Sequence, residues 1–160
     1  MSTERINIGL SQDQRLGVVA LLKALLADEY VLYTKTRNFH WNVTGPRFHD
    51  LHKFFESQYE AIDETMDEVA ERIRSLGGVA PGSLAEFLAL ARLSEQKGEL
   101  ASADLLVERL LEDHEAVIRV LREDLRTAND EFGDAGTSDF LTGLLEEHEK
   151  MAWMLRSLLV

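Results

Sequence analysis

A chain of 160 residues suits one hydrophobic core better than two, and 45% hydrophobic with 29% charged residues, two prolines and ten glycines describes a folded domain, neither disordered nor low-complexity. The absence of cysteine excludes disulfides, thiolate metal sites, iron–sulfur clusters and cysteine nucleophiles, so any metal must be held by His, Asp and Glu. Lys and Arg number 17 against 29 Asp and Glu, and the formal charge of −12 disfavours a phosphate backbone as partner and favours cations.

The first residues lack the charged-then-apolar layout of a secretory signal, and no uncharged apolar run approaches the roughly 20 residues that cross a bilayer, so a cytoplasmic location is expected. Glycine and proline cluster at Gly45-Pro46, Gly77-Gly78 with Pro81-Gly82, Gly98, and Gly133 with Gly136, cutting the chain into five helical candidates. After a short tail over residues 1–11, Ser11 and Gln14 read as a capping box opening a first helix over about 12–40, with Leu16, Val19, Leu22 and Leu26 at helical spacing. The second lies between Pro46 and Gly77, with an apolar stripe from Phe48 and Leu51 to Ile73 and Leu76. Ser83 and Glu86 form another box before a short helix at Leu84–Leu90, inside a long connection ending near Gly98. Leu106, Leu110, Val117, Leu121 and Leu125 stripe the fourth segment; the fifth runs from Phe140 to Leu158 with Thr137 or Ser138 as its cap. No stretch alternates with the period of a strand. Four long helices, a short one and one long connection after the second predict a single all-α domain, a ferritin-like four-helix bundle with one crossover. Gly17 and Gly143 fall inside helices, which points to close packing at both.

Chemistry concentrates on the second helix. Between Phe54 and Glu71 it carries Glu56, Glu60, Asp63, Glu64, Asp67, Glu68 and Glu71 with no lysine or arginine, and like charges four residues apart repel by roughly 0.2–0.5 kcal/mol a pair. Bound cations would relieve that repulsion, and His, Asp and Glu donors without sulfur suit Fe(II), Zn(II) or Mn(II). His52/Glu56 and Asp67/Glu71 are both i, i+4 pairs, yet their starts lie fifteen residues, or about 22 Å of helix, apart. One metal cannot touch both. Two copies of this helix laid antiparallel about a two-fold axis near Ala61 and Ile62 would bring His52 of one chain against Asp67 and Glu71 of the other, twice over, with His40 as a second imidazole.

The run Asn38-Phe39-His40-Trp41-Asn42-Val43-Thr44-Gly45, then Phe48, His52, Asp67-x-x-x-Glu71, Arg72 and Gly77-Gly78, resembles the Dps family, the mini-ferritins named for DNA protection during starvation. The likeness extends along the whole chain, including the short helix and the ending from Glu147 to Met154. It implies a hollow shell of twelve subunits with two irons at each inter-subunit site, where His40 and His52 are ligands from one subunit and Asp67 and Glu71 from its neighbour. Family members oxidise Fe(II), usually with hydrogen peroxide, and store ferric mineral; zinc is a substitute metal. Glu56 stands where the family often has Asp, and Trp41 resembles an aromatic residue kept near the centre. By the same likeness Glu60 and Glu64 are candidates for mineral nucleation, and Asp130, Asp134 and Asp139 for an acidic entry pore. Direct DNA contact, which lysine-rich tails commonly supply in the family, is not expected, because the first eleven residues carry only Arg5 against Glu4; a nucleoid-associated role or a non-catalytic metal-binding shell are the alternatives. His49 lies off the ligand face. His114 and His148 are expected to be partly buried or hydrogen-bonded surface histidines, and Trp153 a packing residue. No Glu-x-x-His occurs in the chain, so a di-iron centre inside the bundle is not expected.

Overall fold

Ser11 Oγ accepts the Gln14 N–H while the Gln14 carboxamide oxygen accepts the Ser11 N–H at 2.8 Å, and this reciprocal cap starts α1 (Gln12–Asn42). The computed structural model describes residues 6–98 and 102–160, so Glu4 and Arg5, on which the charge of the tail was read, lie outside the described residues. Helix α1 runs two residues past the expected end, where the Val43 N–H closes on Phe39 O at 2.9 Å. Gly45 then turns the chain at φ +107°, a conformation that disfavours any side chain, and its carbonyl receives the Phe48 N–H that opens α2 (Phe48–Ser75). Helix α3 (Leu84–Leu90) begins at the Ser83/Glu86 box, α4 (Ala103–Asp130) at Ser102, and α5 (Ala135–Ser157) at Asp134. Among the described residues there is no strand. None of these helices is long and apolar enough to cross a membrane.

Helices α1 and α2 form one antiparallel hairpin, α4 and α5 another, and the two pack into the bundle with α3 lying on α1. The shared interior holds Leu22, Phe39, Phe55, Ile62, Leu110 and Leu121, all fully buried, each contributing about 1.5–3 kcal/mol by leaving water. The crossover is tied down by charge. Asp28, buried on α1, accepts the backbone N–H groups of Arg92 and Leu93 at 2.6 and 3.1 Å and the Arg92 Nε–H at 2.7 Å, fixing the chain just beyond α3. Two turns farther along the same face of α1, Lys35 and Asp113 pair at 2.5 Å across to α4.

Four expectations need correction. The cap of α5 is Asp134, because its carboxylate accepts the Thr137 N–H at 3.0 Å and the Thr137 hydroxyl at 2.6 Å, so the helix begins ahead of Thr137 and Ser138. Gly17 is at a close approach, since a Cβ there would sit 2.3 Å from the Phe132 ring, but nothing lies within 4 Å of one at Gly143. Trp153 projects into solvent on the outer side of α5. His114 and His148 are fully buried in the bundle centre: His148 Nε2 donates to Glu29 Oε1 at 2.9 Å, and the Nδ1 atoms of the two rings face each other at 2.9 Å. Closure of the two hairpins shuts both rings off from solvent, so they bond to each other and His148 bonds to Glu29.

Two outcomes follow from this packing. Gly17→Ala gains about 0.5–1 kcal/mol of helix propensity but loses about 1–3 kcal/mol to overpacking against Phe132, so thermal unfolding is expected at a lower midpoint than in the native chain. Burial, and then the neighbouring His148, hold the His114 ring well below the ordinary histidine range, so it stays neutral when folded while the unfolded chain takes up a proton below about pH 6.5. Stability is therefore complete above that pH and declines as the pH falls from it toward the depressed folded value. Denaturant titrations from pH 7.5 down to 5 are expected to show this decline, and His114→Phe to flatten it.

Candidate metal centre

The Gly45 turn brings the end of α1 against the start of α2 and places His40 and His52 ring on ring, with centroids 3.8 Å apart and planes 19° from parallel. Their bonding is reciprocal. His40 Nδ1–H donates to the His52 carbonyl at 2.7 Å, and His52 Nδ1–H donates to the His40 carbonyl at 2.8 Å. A carbonyl can only accept, so each Nδ1 carries a proton, and in the neutral ring Nε2 is the nitrogen that keeps the lone pair. Both imidazoles are thereby held in the tautomer that binds metal through Nε2, with backbone oxygens, which no side-chain substitution removes, as their supports. Two parallel nitrogen donors result.

Around this pair the surroundings differ by side. Phe48 stacks on His52 at 5.1 Å, and Tyr59 meets the edge of His40 at 5.2 Å. The guanidinium of Arg37 lies over the rings of Tyr33, Trp41 and Tyr59 at 5.6, 5.4 and 5.1 Å, with Trp41 64% exposed beside the histidines. Glu56, one turn beyond His52, pairs with Lys53 at 2.6 Å. The hydrogen bond from Lys53, with further help from its charge, holds the Glu56 carboxyl below the usual range, so an anion stands one turn beyond His52. His49 points to solvent, away from the cluster.

Asp67 and Glu71 are exposed four turns farther along α2, and among the described residues no three His, Asp or Glu side chains of one chain converge as a metal cage. Each end of α2 carries part of a donor set. Asp67 lines a groove with Asp63, Glu64, Tyr30 and Phe87. Glu64 also borders a second groove, between α2 and α5, with Glu68, Glu147 and Lys150; Glu60 is exposed but borders neither. Of the three candidate pore residues, Asp130 and Asp139 are exposed, whereas Asp134 is buried in its capping role and bound to Arg72 at 3.1 Å. Burial pushes the Asp134 carboxyl up, but the Thr137 bonds and the Arg72 guanidinium outweigh it and leave the group below the ordinary carboxylate range. The oxygens of Asp134 thus serve the α5 cap and Arg72.

Three features of the site escape the residue pattern. Tyr59 stands seven residues, two turns, after His52, and Arg37 three before His40, so helical spacing alone could have put both beside the histidines. Glu147 joins the α2 acids only through the packing of α5, for which no local signal exists.

A profile of the ferritin-like domain matches residues 19–160. A low temperature-induced protein of Nostoc is 53% identical over 153 residues, 96% of this chain and 86% of its own, and the DNA protection during starvation protein 2 of Bacillus anthracis is 39% identical over 89% of this chain and 96% of its own. The chain belongs to the Dps family. The crystal structure of a Dps protein from Vibrio cholerae, described as one of the ferritin-like diiron-carboxylate proteins, superposes with a TM-score of 0.91 at 32% identity, covering 97% of this chain and 96% of that one. The all-α fold with its short helix in the crossover is therefore the Dps fold.

Within this Dps protein the capping role of Asp134 is open to a direct stability measurement. Asp134→Ala removes a helix cap and is expected to cost about 0.5–2 kcal/mol in denaturant unfolding, while Asp130→Ala and Asp139→Ala stay within about 0.5 kcal/mol of the native chain.

Proposed function

We propose that this Dps-family protein is a ferroxidase and iron store whose catalytic centres form between subunits. The observation that carries this reading is the division of donors along one helix: two imidazoles with free Nε2 atoms at one end, two unpaired carboxylates at the other, too far apart to share a metal. An antiparallel two-fold pairing of α2 joins His40 and His52 of one subunit to Asp67 and Glu71 of the next, and each pair of chains then holds two complete sites of two irons. The exposed apolar side chains Trp41, Phe48, Leu84 and Leu88 flank these half-sites and support burial of this face against a second copy.

In that arrangement Fe(II) is the substrate. The carboxylates of Asp67 and Glu71, with Glu71 as the bridging group, are hard anions that favour Fe(III) over Fe(II), so they draw the reaction toward oxidation. His40 and His52 hold an iron on its softer side and leave room for hydrogen peroxide. Glu56, kept ionised by Lys53, adds negative charge that attracts the incoming cation, and its longer arm allows it to ligate when Lys53 swings away. Two Fe(II) per peroxide yield two Fe(III) and water, without hydroxyl radical. Ferric product then mineralises inside a shell of twelve subunits, with Glu60 and Glu64 as nucleation candidates and Asp130 and Asp139 at the entry; Zn(II) competes for the same donors. Protection of DNA comes through removal of iron and peroxide, since a net charge of −12 per chain opposes contact with phosphates.

Mixing complementary variants tests the shared site. His52→Ala alone and Asp67→Ala/Glu71→Ala alone are each expected to oxidise Fe(II) with peroxide no faster than buffer. Reassembled together at equal amounts, half the pairs are mixed and each mixed pair regains one of its two sites, so about a quarter of the native rate is expected to return. A site complete within one chain predicts no recovery.

A further inference from the structure

All three tyrosines of the chain stand in one line. Tyr59 meets the His40 ring at 5.2 Å, Tyr33 meets Tyr59 at 6.0 Å in an edge contact, and Tyr30 follows Tyr33 at 6.2 Å. Beyond Tyr30 the line ends on Phe87, stacked at 4.1 Å, which cannot be oxidised under such conditions. The groove that Tyr30 and Phe87 border also contains Asp67. The line therefore starts at the imidazole end of α2 and finishes at its carboxylate end. We propose that Tyr59, Tyr33 and Tyr30 form an electron relay that couples the two iron sites of a subunit pair, each subunit's tyrosines reaching from one site to the other. This rests on the shared-site reading given above.

Ring centroids at 5–6 Å place neighbouring aromatic edges almost in contact, a separation across which single electrons move readily. The chemistry gives such a path a purpose. Peroxide reduction takes two electrons, and a site holding one Fe(II) can supply only one, which leaves a hydroxyl radical. With a second Fe(II) in the distant site, the missing electron can come through the line: Tyr59 gives an electron to the site beside His40 and its phenolic proton to water, Tyr33 restores Tyr59, Tyr30 restores Tyr33, and the distant Fe(II) restores Tyr30, each phenoxyl recovering a proton as it is reduced. The sum is two Fe(II), one hydrogen peroxide and two protons giving two Fe(III) and two waters, with every tyrosine returned to its starting state.

Arg37 shapes the path. Its guanidinium over Tyr33 and Tyr59 disfavours a radical cation on either ring, so an electron leaves only together with the phenolic proton. Arg37 Nη1–H also donates to the Tyr33 hydroxyl oxygen, which leaves that hydroxyl's own proton free to go elsewhere. Tyr30, Tyr33 and Tyr59 are all half-buried, shielded from side reactions yet close enough to water to exchange those protons.

The test uses the whole protein, anaerobic, with one Fe(II) per chain, limiting hydrogen peroxide and an excess of spin trap. The native protein is expected to consume two Fe(II) per peroxide, trap little hydroxyl radical, and show a transient tyrosyl signal by freeze-quench electron paramagnetic resonance. Tyr33→Phe keeps the ring and its packing but breaks the line. In that variant the ratio is expected to fall toward one Fe(II) per peroxide and trapped hydroxyl radical to rise, while at two Fe(II) per chain the native ratio returns. Equal ratios and equal radical yields in the native and Tyr33→Phe proteins at half loading would overturn the relay, as would a native-strength radical signal after all three tyrosines are changed to phenylalanine. Failure of the shared-site reading is separate: it shows as undiminished oxidation in Asp67→Ala/Glu71→Ala, and it removes the relay's second terminus as well.

Discussion

The exchange of Nδ1–H bonds between His40 and His52 and each other's backbone carbonyls governs what the rest of this molecule can do. It sets both tautomers, stacks the rings and aims two lone pairs outward, and it exists only because the Gly45 turn folds α2 back on α1 within a few residues. Hydrogen bonds to backbone oxygens are unusually durable supports for metal-binding groups, since side-chain drift cannot withdraw them. The packing of Phe39 and Phe55 beneath the turn holds the two helix ends at that spacing.

Against this rigid end stands the acidic length of α2. Carboxylates repeated at i and i+4 repel one another, and the helix persists because its opposite face is fully buried in the bundle, where apolar burial outweighs a few tenths of a kcal/mol per repelling pair. The fold thus maintains a concentrated negative surface that a free peptide would avoid. That surface is divided: one part faces the Asp67 groove bordered by α3, another the α2–α5 groove with Glu147. Packing thus leaves one helix with two separate acidic grooves, joined at Glu64, which borders both.

Polar groups also enter the core. Glu29, His148 and His114 meet where two amphipathic hairpins close, and Asp28 binds the crossover through its backbone. Asp28 has a clear mechanical use, fixing α3 over Tyr30 and so shaping the groove in which Asp67 lies. Burial of His114 makes the bundle sensitive to acid, because that ring can charge only by losing its shelter.

Much of this was legible in residue order alone. Caps at Ser11 and Ser83, breakers at Gly45-Pro46 and Gly77-Gly78 and stripes at helical period specify elements through local physics, and simple helix rise keeps any one metal from touching both His52 and Asp67 of the same chain. Packing decided the remainder. Whether His114 and His148 face solvent or each other, whether Gly17 or Gly143 receives a neighbour, and that Asp134 spends its oxygens on a cap and Arg72 all depend on which helix lies alongside, a non-local fact with no trace in neighbouring residues. The alignment of Tyr59, Tyr33 and Tyr30 is of the same kind: three residues on two antiparallel helices become one line only when the hairpin closes and sets their register.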